Sequence, residues 1–249
     1  MPARELVLHL TSRELRSTHR RTALGWLWPL LIQLCQLGVL VFVFDTVVPL
    51  DVQDYPVFVF SGLVFWSWFR GGVSSATTSV SGNGPLVLEP RTPRAVLPLV
   101  AVAVATFDLL VALPVLLVIV VWMEGVDLAW LLIPPLIAIQ AVLMAGLAFI
   151  VSALQVFVRD VAQLVSLILL LLFYLTPVFY PRDGVPEEWA WIFDVNPISG
   201  LIEAHRTVLL DGHAPAAGRM ALLGLASLVV LAVGWVLFRR LEKGFADEL

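Results

Sequence analysis

Arg70 and Asp108 each interrupt a long apolar run. A charged side chain at the centre of a membrane helix costs roughly 2.5–3.5 kcal/mol on insertion scales, so each must find a counter-charge, a ligand or water. Arg70 lies about 15 residues into one run and Asp108 about 10 into the next. Consecutive runs cross in opposite senses, so the two charges reach comparable depth. They can pair across the interface of those runs, or Arg70 can face a conduit and meet an anionic substrate. Around them stand rings: Phe65, Trp66, Trp68 and Phe69 before Arg70, and Phe173, Tyr174, Phe179 and Tyr180 later. Their flat apolar faces can pack a core, or can let the C–H faces of sugars stack on them.

Other chemistries lack their residues. There is no G-x-x-x-x-G-K-[ST] loop to cradle a nucleotide phosphate. No cluster of His, Cys and carboxylate has metal-ligand spacing, and no nucleophile elbow appears. His9, His19, His205 and His213 are scattered through loops and amphipathic stretches and read as solvated. Cys35, in an apolar run, reads as a small buried hydrophobe. The chain is therefore expected to bind no cofactor or metal and to catalyse no covalent chemistry.

The elements that hold these residues follow from composition. With 249 residues, 60% of them hydrophobic and 14% charged, the chain reads as an all-α integral membrane protein. Residues 4–21 carry five arginines between leucines and predict an amphipathic helix lying in the headgroup layer. This N-terminal piece, 1–21, precedes a transmembrane domain over 22–249. Six spans are predicted, at about 22–44, 55–80, 99–123, 130–157, 161–181 and 220–238. The second half of span two is small and polar, from Gly71 to Ser79, and suits close helix packing or a water-facing wall. Pro134-Pro135 is expected to kink span four or push its end out of the membrane.

Span five, Val161–Pro181, has 21 residues and no charge. As a helix it would reach about 31 Å. Thr176-Pro177 interrupts it near its far end, beside the rings, which predicts a channel-lining helix with an aromatic outer gate. Between spans five and six, Asn196-Pro197 reads as a capped helix start. Ile198, Leu201, Ile202, His205, Val208 and Leu209 then recur at amphipathic spacing, predicting an external helix packed on or dipping into the membrane.

The bases set the topology. Eleven of fifteen fall in segments assigned inside: Arg4, Arg13, Arg16, Arg20, Arg21, Arg91, Arg94, Arg159, Arg239, Arg240 and Lys243. Arg182, Arg206 and Arg219 fall outside. Six spans with both termini in the cytoplasm satisfy the positive-inside rule.

Taken in order, several stretches resemble one family, the ABC-2-type membrane subunits that export polysaccharides and polyol phosphates, including O-antigen and teichoic-acid permeases. They are Arg20-Arg21-x-x-Leu24-Gly25-Trp26-x-Trp28, Tyr55-Pro56-Val57-Phe58 with Ser61-Gly62-Leu63, and Pro93-Arg94-x-Val96-Leu97-Pro98. Then come Val156-Phe157-x-Arg159-Asp160-Val161, Phe173-Tyr174-Leu175-x-Pro177 and Tyr180-Pro181. Asn196-Pro197 with Gly200-Leu201-Ile202-Glu203-Ala204 and the Phe245-Ala246 tail complete the set.

The resemblance implies a homodimer with two separate ATP-binding subunits, which hold the ATP and Mg. It implies a lipid-linked glycan as substrate in a bacterial inner membrane, and no nucleic acid partner. It makes Leu86–Leu97 a cytoplasmic coupling helix, with Leu86, Glu89, Arg91, Arg94, Val96, Arg159 and Asp160 as candidate ATPase contacts. External gate helices would lie between spans five and six, and spans one and five would line the path. Trp66, Trp68, Phe69, Arg70, Phe173, Tyr174, Phe179 and Tyr180 are the candidates for path and gate. Where relatives often carry lysines and an aromatic before the Pro-Arg pair, this chain has Leu88-Glu89-Pro90-Arg91. The alternative within the same architecture is an ABC-2 exporter of drugs or lipids.

Overall fold

A computed structural model describes residues 3–19, 25–48, 50, 52–89, 93–123 and 125–248. Helix α1 (Ala3–His19) is the amphipathic N-terminal helix. Helix α2 (Trp28–Val41) starts on a proline in its first turn and widens into a π-helical turn, Phe42–Val47. Helix α3 (Tyr55–Thr77) also opens on a proline, and the short α4 (Gly84–Val87) follows it. Helix α5 (Val96–Met123) continues through Pro114. Asp127 caps a 3₁₀ turn, Leu128–Leu132, that leads into α6 (Ile133–Phe157). Helix α7 (Val161–Tyr174), α8 (Ala190–Val195), α9 (Pro197–Leu209), α10 (Ala217–Leu241) and α11 (Phe245–Glu248) complete the chain. The described residues contain no strand.

Among the described residues, five segments are long and apolar enough to cross a membrane: Trp28–Val47, Tyr55–Thr77, Val96–Met123, Leu128–Phe157 and Ala217–Glu248. The expected span five departs from its prediction. Helix α7 has 14 residues, about 21 Å, and stops at Tyr174 rather than running to Pro181. Pro177 has no N–H to give the carbonyl of Phe173, and its ring pushes Thr176 out of helical backbone, so the helix ends before the pair. Pro134-Pro135, expected to kink span four or push its end out of the membrane, follow the 3₁₀ turn Leu128–Leu132. These prolines sit in the first turn of α6, where a missing N–H leaves no bond unmade.

Helix α3 is the axis of the molecule. Residues along its whole length are buried, from Tyr55 to Thr77. It packs on α5, α6, α2, α7 and α9. Helices α6 and α10 approach until their backbones touch: a Cβ on Gly146 would lie 2.6 Å from the Leu231 nitrogen, and one on Gly234 would overlap the Gly146 carbonyl. Such close small-residue crossings are how helices associate in lipid, where burying apolar surface gives no driving force.

Two apolar clusters join one end of the bundle. Val80, Val87, Leu97, Phe149, Val156, Phe238 and Phe245 form the first, and Leu10, Val96 and Val100 the second. They bring α1, α4, the start of α5, the end of α6 and the C-terminal helices together. Cys35, expected to be buried, is exposed on α2. Only Gln33 of that helix is fully buried; Leu30, Leu37, Leu40 and Val41 pack partly on the core, and the rest of its apolar surface is uncovered by this chain.

Candidate functional site

Two constructions stand on α3, one on each half. The first is a cavity of about 720 Å³ between α1, α2, α3 and α5. Ser67, Arg70, Gly71 and Ser75 of α3, with Thr78 and Ser79 just after it, give one wall its polar and small residues, beside Val64 and Trp68. Gly72 lets Met144 and Ala105 pack closely against the same helix. Helix α2 contributes Trp28, Ile32, Gln33 and Gln36, helix α5 contributes Val100, Val104 and Asp108, and α1 contributes Leu10, Arg13 and Glu14. Trp68 donates from Nε1 to Thr106 Oγ1 at 3.2 Å on the same wall. Arg70 and Asp108 thus share one cavity. Gln33 is 6% exposed, and its Oε1 has no hydrogen-bond partner among the described residues.

The second construction is at the break after α7. Ending a helix at Tyr174 leaves carbonyls with no intrahelical donor. Tyr180 donates its hydroxyl to the Tyr174 carbonyl at 2.8 Å. Thr176 Oγ1 accepts from Asn196 Nδ2 at 3.0 Å, and the Phe179 carbonyl accepts from the Tyr55 hydroxyl at 2.8 Å. Asn196 Oδ1 meanwhile accepts from the Ile198 amide and caps α9 as its sequence predicted.

The strongest tie is Arg206 of α9, which is 7% exposed. Its guanidinium donates to the carbonyls of Pro177, Val178 and Phe58 and to Ser61 Oγ, and it stacks 3.7 Å over the Phe58 ring. Burial lowers its pKa, opposed by the nearby Glu203 charge. Gly62 leaves the space for this, since a Cβ there would meet the guanidinium and stand 2.5 Å from the Val178 carbonyl. Arg206, counted with the external loop, is the buried donor to the carbonyls of Pro177 and Val178 at the break. Its spacing of four from Ile202 and three from Leu209 did place it beside the apolar stripe.

His205, expected to be solvated, is fully buried. Its Nδ1 lies 2.8 Å from the Leu201 carbonyl, and its ring centroid lies 3.6 Å from that of Phe65. Burial pushes its pKa down to about 4, which keeps the ring neutral. At the rim, Glu203 accepts from Arg219 and lies 3.5 Å from Arg182, which also pairs with Asp194 at 2.5 Å.

The path and gate candidates divide between the two constructions. Trp68 and Arg70 line the cavity. Trp66 and Phe69 are buried on another face of α3, where Trp66 meets Phe69 at 5.6 Å and Phe173 at 5.7 Å. Phe173 stacks on Phe179 at 5.4 Å, and Phe179 touches Tyr174 and Tyr180, so the rings form one connected group at the break.

The coupling candidates also divide. Glu89, Arg159 and Asp160 are exposed, Leu86 lines the cavity, and Val96 is buried under α1. Arg94 donates to the Val87 carbonyl at 3.1 Å and to the Glu242 carbonyl, fastening the loop to the end of α10. Arg91 lies outside the described residues. No group of three or more metal-ligating side chains forms among the described residues.

The family model described as "ABC-2 type transporter" matches residues 5–210. An O-antigen export system permease protein of Klebsiella pneumoniae is 30% identical over 98% of this chain and 95% of its own length. Another with that name, from Myxococcus xanthus, is 29% identical over 99% and 96%. A polysialic acid transport protein of Escherichia coli is 22% identical over 93% and 91%.

Proposed function

The chain belongs to the ABC-2 type transporter family, and on that premise we propose that it is the membrane permease of an ATP-driven exporter of polysaccharide. The observation that carries this reading is the end-to-end likeness to permeases named for O-antigen and polysialic acid. The substrate is a lipid-linked glycan carried outward across the inner membrane of a bacterium. ATP and its Mg belong to two copies of a separate subunit, and a second copy of this chain completes the pathway.

Several features of the architecture support finer parts of the reading. The clustered end of the bundle carries Arg13, Arg16, Arg94, Arg159, Arg239, Arg240 and Lys243, and as the cytoplasmic end it obeys the positive-inside rule. Helix α7 and the pinned segment after it make a sixth crossing, its non-helical part held by protein donors as lipid requires. The exposed loop at Glu89 and the turn at Arg159-Asp160 share that end and are the surface offered to the ATPase. The rings at the break form the outer gate.

Purification of the tagged chain from its own cells in mild detergent should recover an ATP-binding subunit in equal copy number. Deleting the chain should strip polysaccharide from the cell surface while lipid-linked glycan accumulates inside. Recovery with no ATPase would sink the reading. Normal glycan export with retention of a small amphiphile would instead establish an exporter of drugs or lipids.

A further inference from the structure

We propose that the cavity between α1, α2, α3 and α5 binds the phosphate-bearing head of the lipid-linked substrate, with Arg70 on the phosphate and Gln33 on the adjoining sugar; this rests on the export reading above. The cavity is two-sided. Leu10, Ile32 and Val104 give an apolar wall, and Ser67, Ser75 and Thr78 a polar one, which matches an amphiphile better than a free ion.

Four charged side chains face it: Arg13, Arg70, Glu14 and Asp108. Glu14 and Asp108 each interact with another group of the chain. Arg70 lines the cavity from a largely buried helix, and its planar fork suits two phosphate oxygens at once. Gln33 adds an independent sign of a ligand. Its side chain is more than nine-tenths buried at the cavity wall, and Oε1 is left without a donor. A buried acceptor left unmatched is costly, and a sugar hydroxyl is a donor of the right size.

The test uses the full-length chain in lipid nanodiscs, with binding followed by quenching of its tryptophans. The probes are a short-chain prenyl diphospho-N-acetylglucosamine, the same prenyl diphosphate without sugar, the prenyl alcohol, and inorganic pyrophosphate. Both diphosphate lipids should bind, and the alcohol and pyrophosphate should bind far more weakly. Arg70→Gln should weaken both diphosphate lipids about ten- to a hundredfold, the loss of one or two charge-assisted bonds. Gln33→Leu should weaken the sugar-bearing lipid several-fold and leave the sugar-free one unchanged. Leu228→Ala, on the exposed face of α10, should change neither.

Equal binding of pyrophosphate would make this a free-phosphate site and overturn the proposal. Binding that ignores Arg70→Gln would overturn it too, and so would full recovery of export by the exchanged pair Arg70→Asp with Asp108→Arg. That exchange would show that the arginine serves only as a counter-ion. Each of these outcomes leaves the export reading standing, whereas absence of an ATPase partner fails that reading first.

Discussion

Replacing Arg206 by Met keeps the length and apolar stem of the side chain and removes every donor. Of its four acceptors, two retain a partner in each other: the Phe58 carbonyl also accepts from Ser61 Oγ at 2.8 Å. The carbonyls of Pro177 and Val178 have no other donor among the described residues. Each buried carbonyl left unmatched costs about 1–3 kcal/mol, so the pair costs about 4 kcal/mol. The desolvation of the lost charge acts in the opposite sense and trims this figure. For a chain of this size about 3 kcal/mol lowers the melting temperature by roughly 6–12 °C, readable by thermal unfolding in detergent.

A general loss of packing could mimic that drop, so the decisive measurement is a cycle with Gly62→Ala. The added methyl group displaces the same guanidinium. The two substitutions break one tie, and the double variant should cost little more than the worse single. Additive losses, or a drop under about 1 °C for Arg206→Met, would refute the account of Arg206 as the clamp on the segment after α7.

Burial holds His205 neutral with its pKa near 4, while the unfolded chain takes up a proton near 6.5. Stability is therefore complete above pH 6.5 and drains as pH falls toward 4, and His205→Gln should flatten the melting-temperature slope between pH 7 and 5. At the coupling end, Glu89→Ala should lower export per ATP hydrolysed without moving the melting temperature, because Glu89 is exposed. Arg94→Ala should lower the melting temperature as well, through the lost ties to Val87 and Glu242; equal behaviour of the two variants would void that division. Glu203→Gln should release Arg182 and Arg219 and raise protease cleavage between α7 and α10, and an unchanged digest would show that the rim charges hold nothing.

Much of the fold was legible because its signals are local. Long apolar runs marked the five segments long enough to cross a membrane, and Asn196-Pro197 marked the start of α9 down to its capping bond. The break at Thr176-Pro177 was equally legible, but its consequence was underrated. A proline near the end of a run was read as a flaw in a helix of full length, whereas the backbone leaves helical geometry altogether before it. What was hidden depends on partners far along the chain. Arg206 donates to residues 28, 29 and 148 positions away, and no periodicity within α9 reveals such acceptors. Gln33 and His205 look unremarkable in sequence for the same reason: their meaning lies in what faces them across α3. Cys35 failed in the opposite direction, since an apolar neighbourhood in sequence says nothing about which apolar residues one chain can cover by itself.

That last point bears on how the permease could move. Helices α6 and α10 are locked backbone to backbone at Gly146 and Gly234, and rings from Phe149 to Phe245 bind their ends, so this pair moves as one body. Helix α2 buries only Gln33, and α7 only Val165 and Leu169. These two lightly covered helices flank α3 and bury few side chains that would resist displacement. Yet each is tied at one point to something functional: α2 walls the cavity, and α7 ends in the segment that Arg206 clamps. If the loop at Arg94 receives the push of the ATPase, its bonds to the Glu242 and Val87 carbonyls would pass that push to the α6–α10 pair and the bundle axis, shifting them against the two lightly covered helices. Opening of the cavity at one end and release of the ringed break at the other then need no bending of α3, only sliding along its two lightly covered sides.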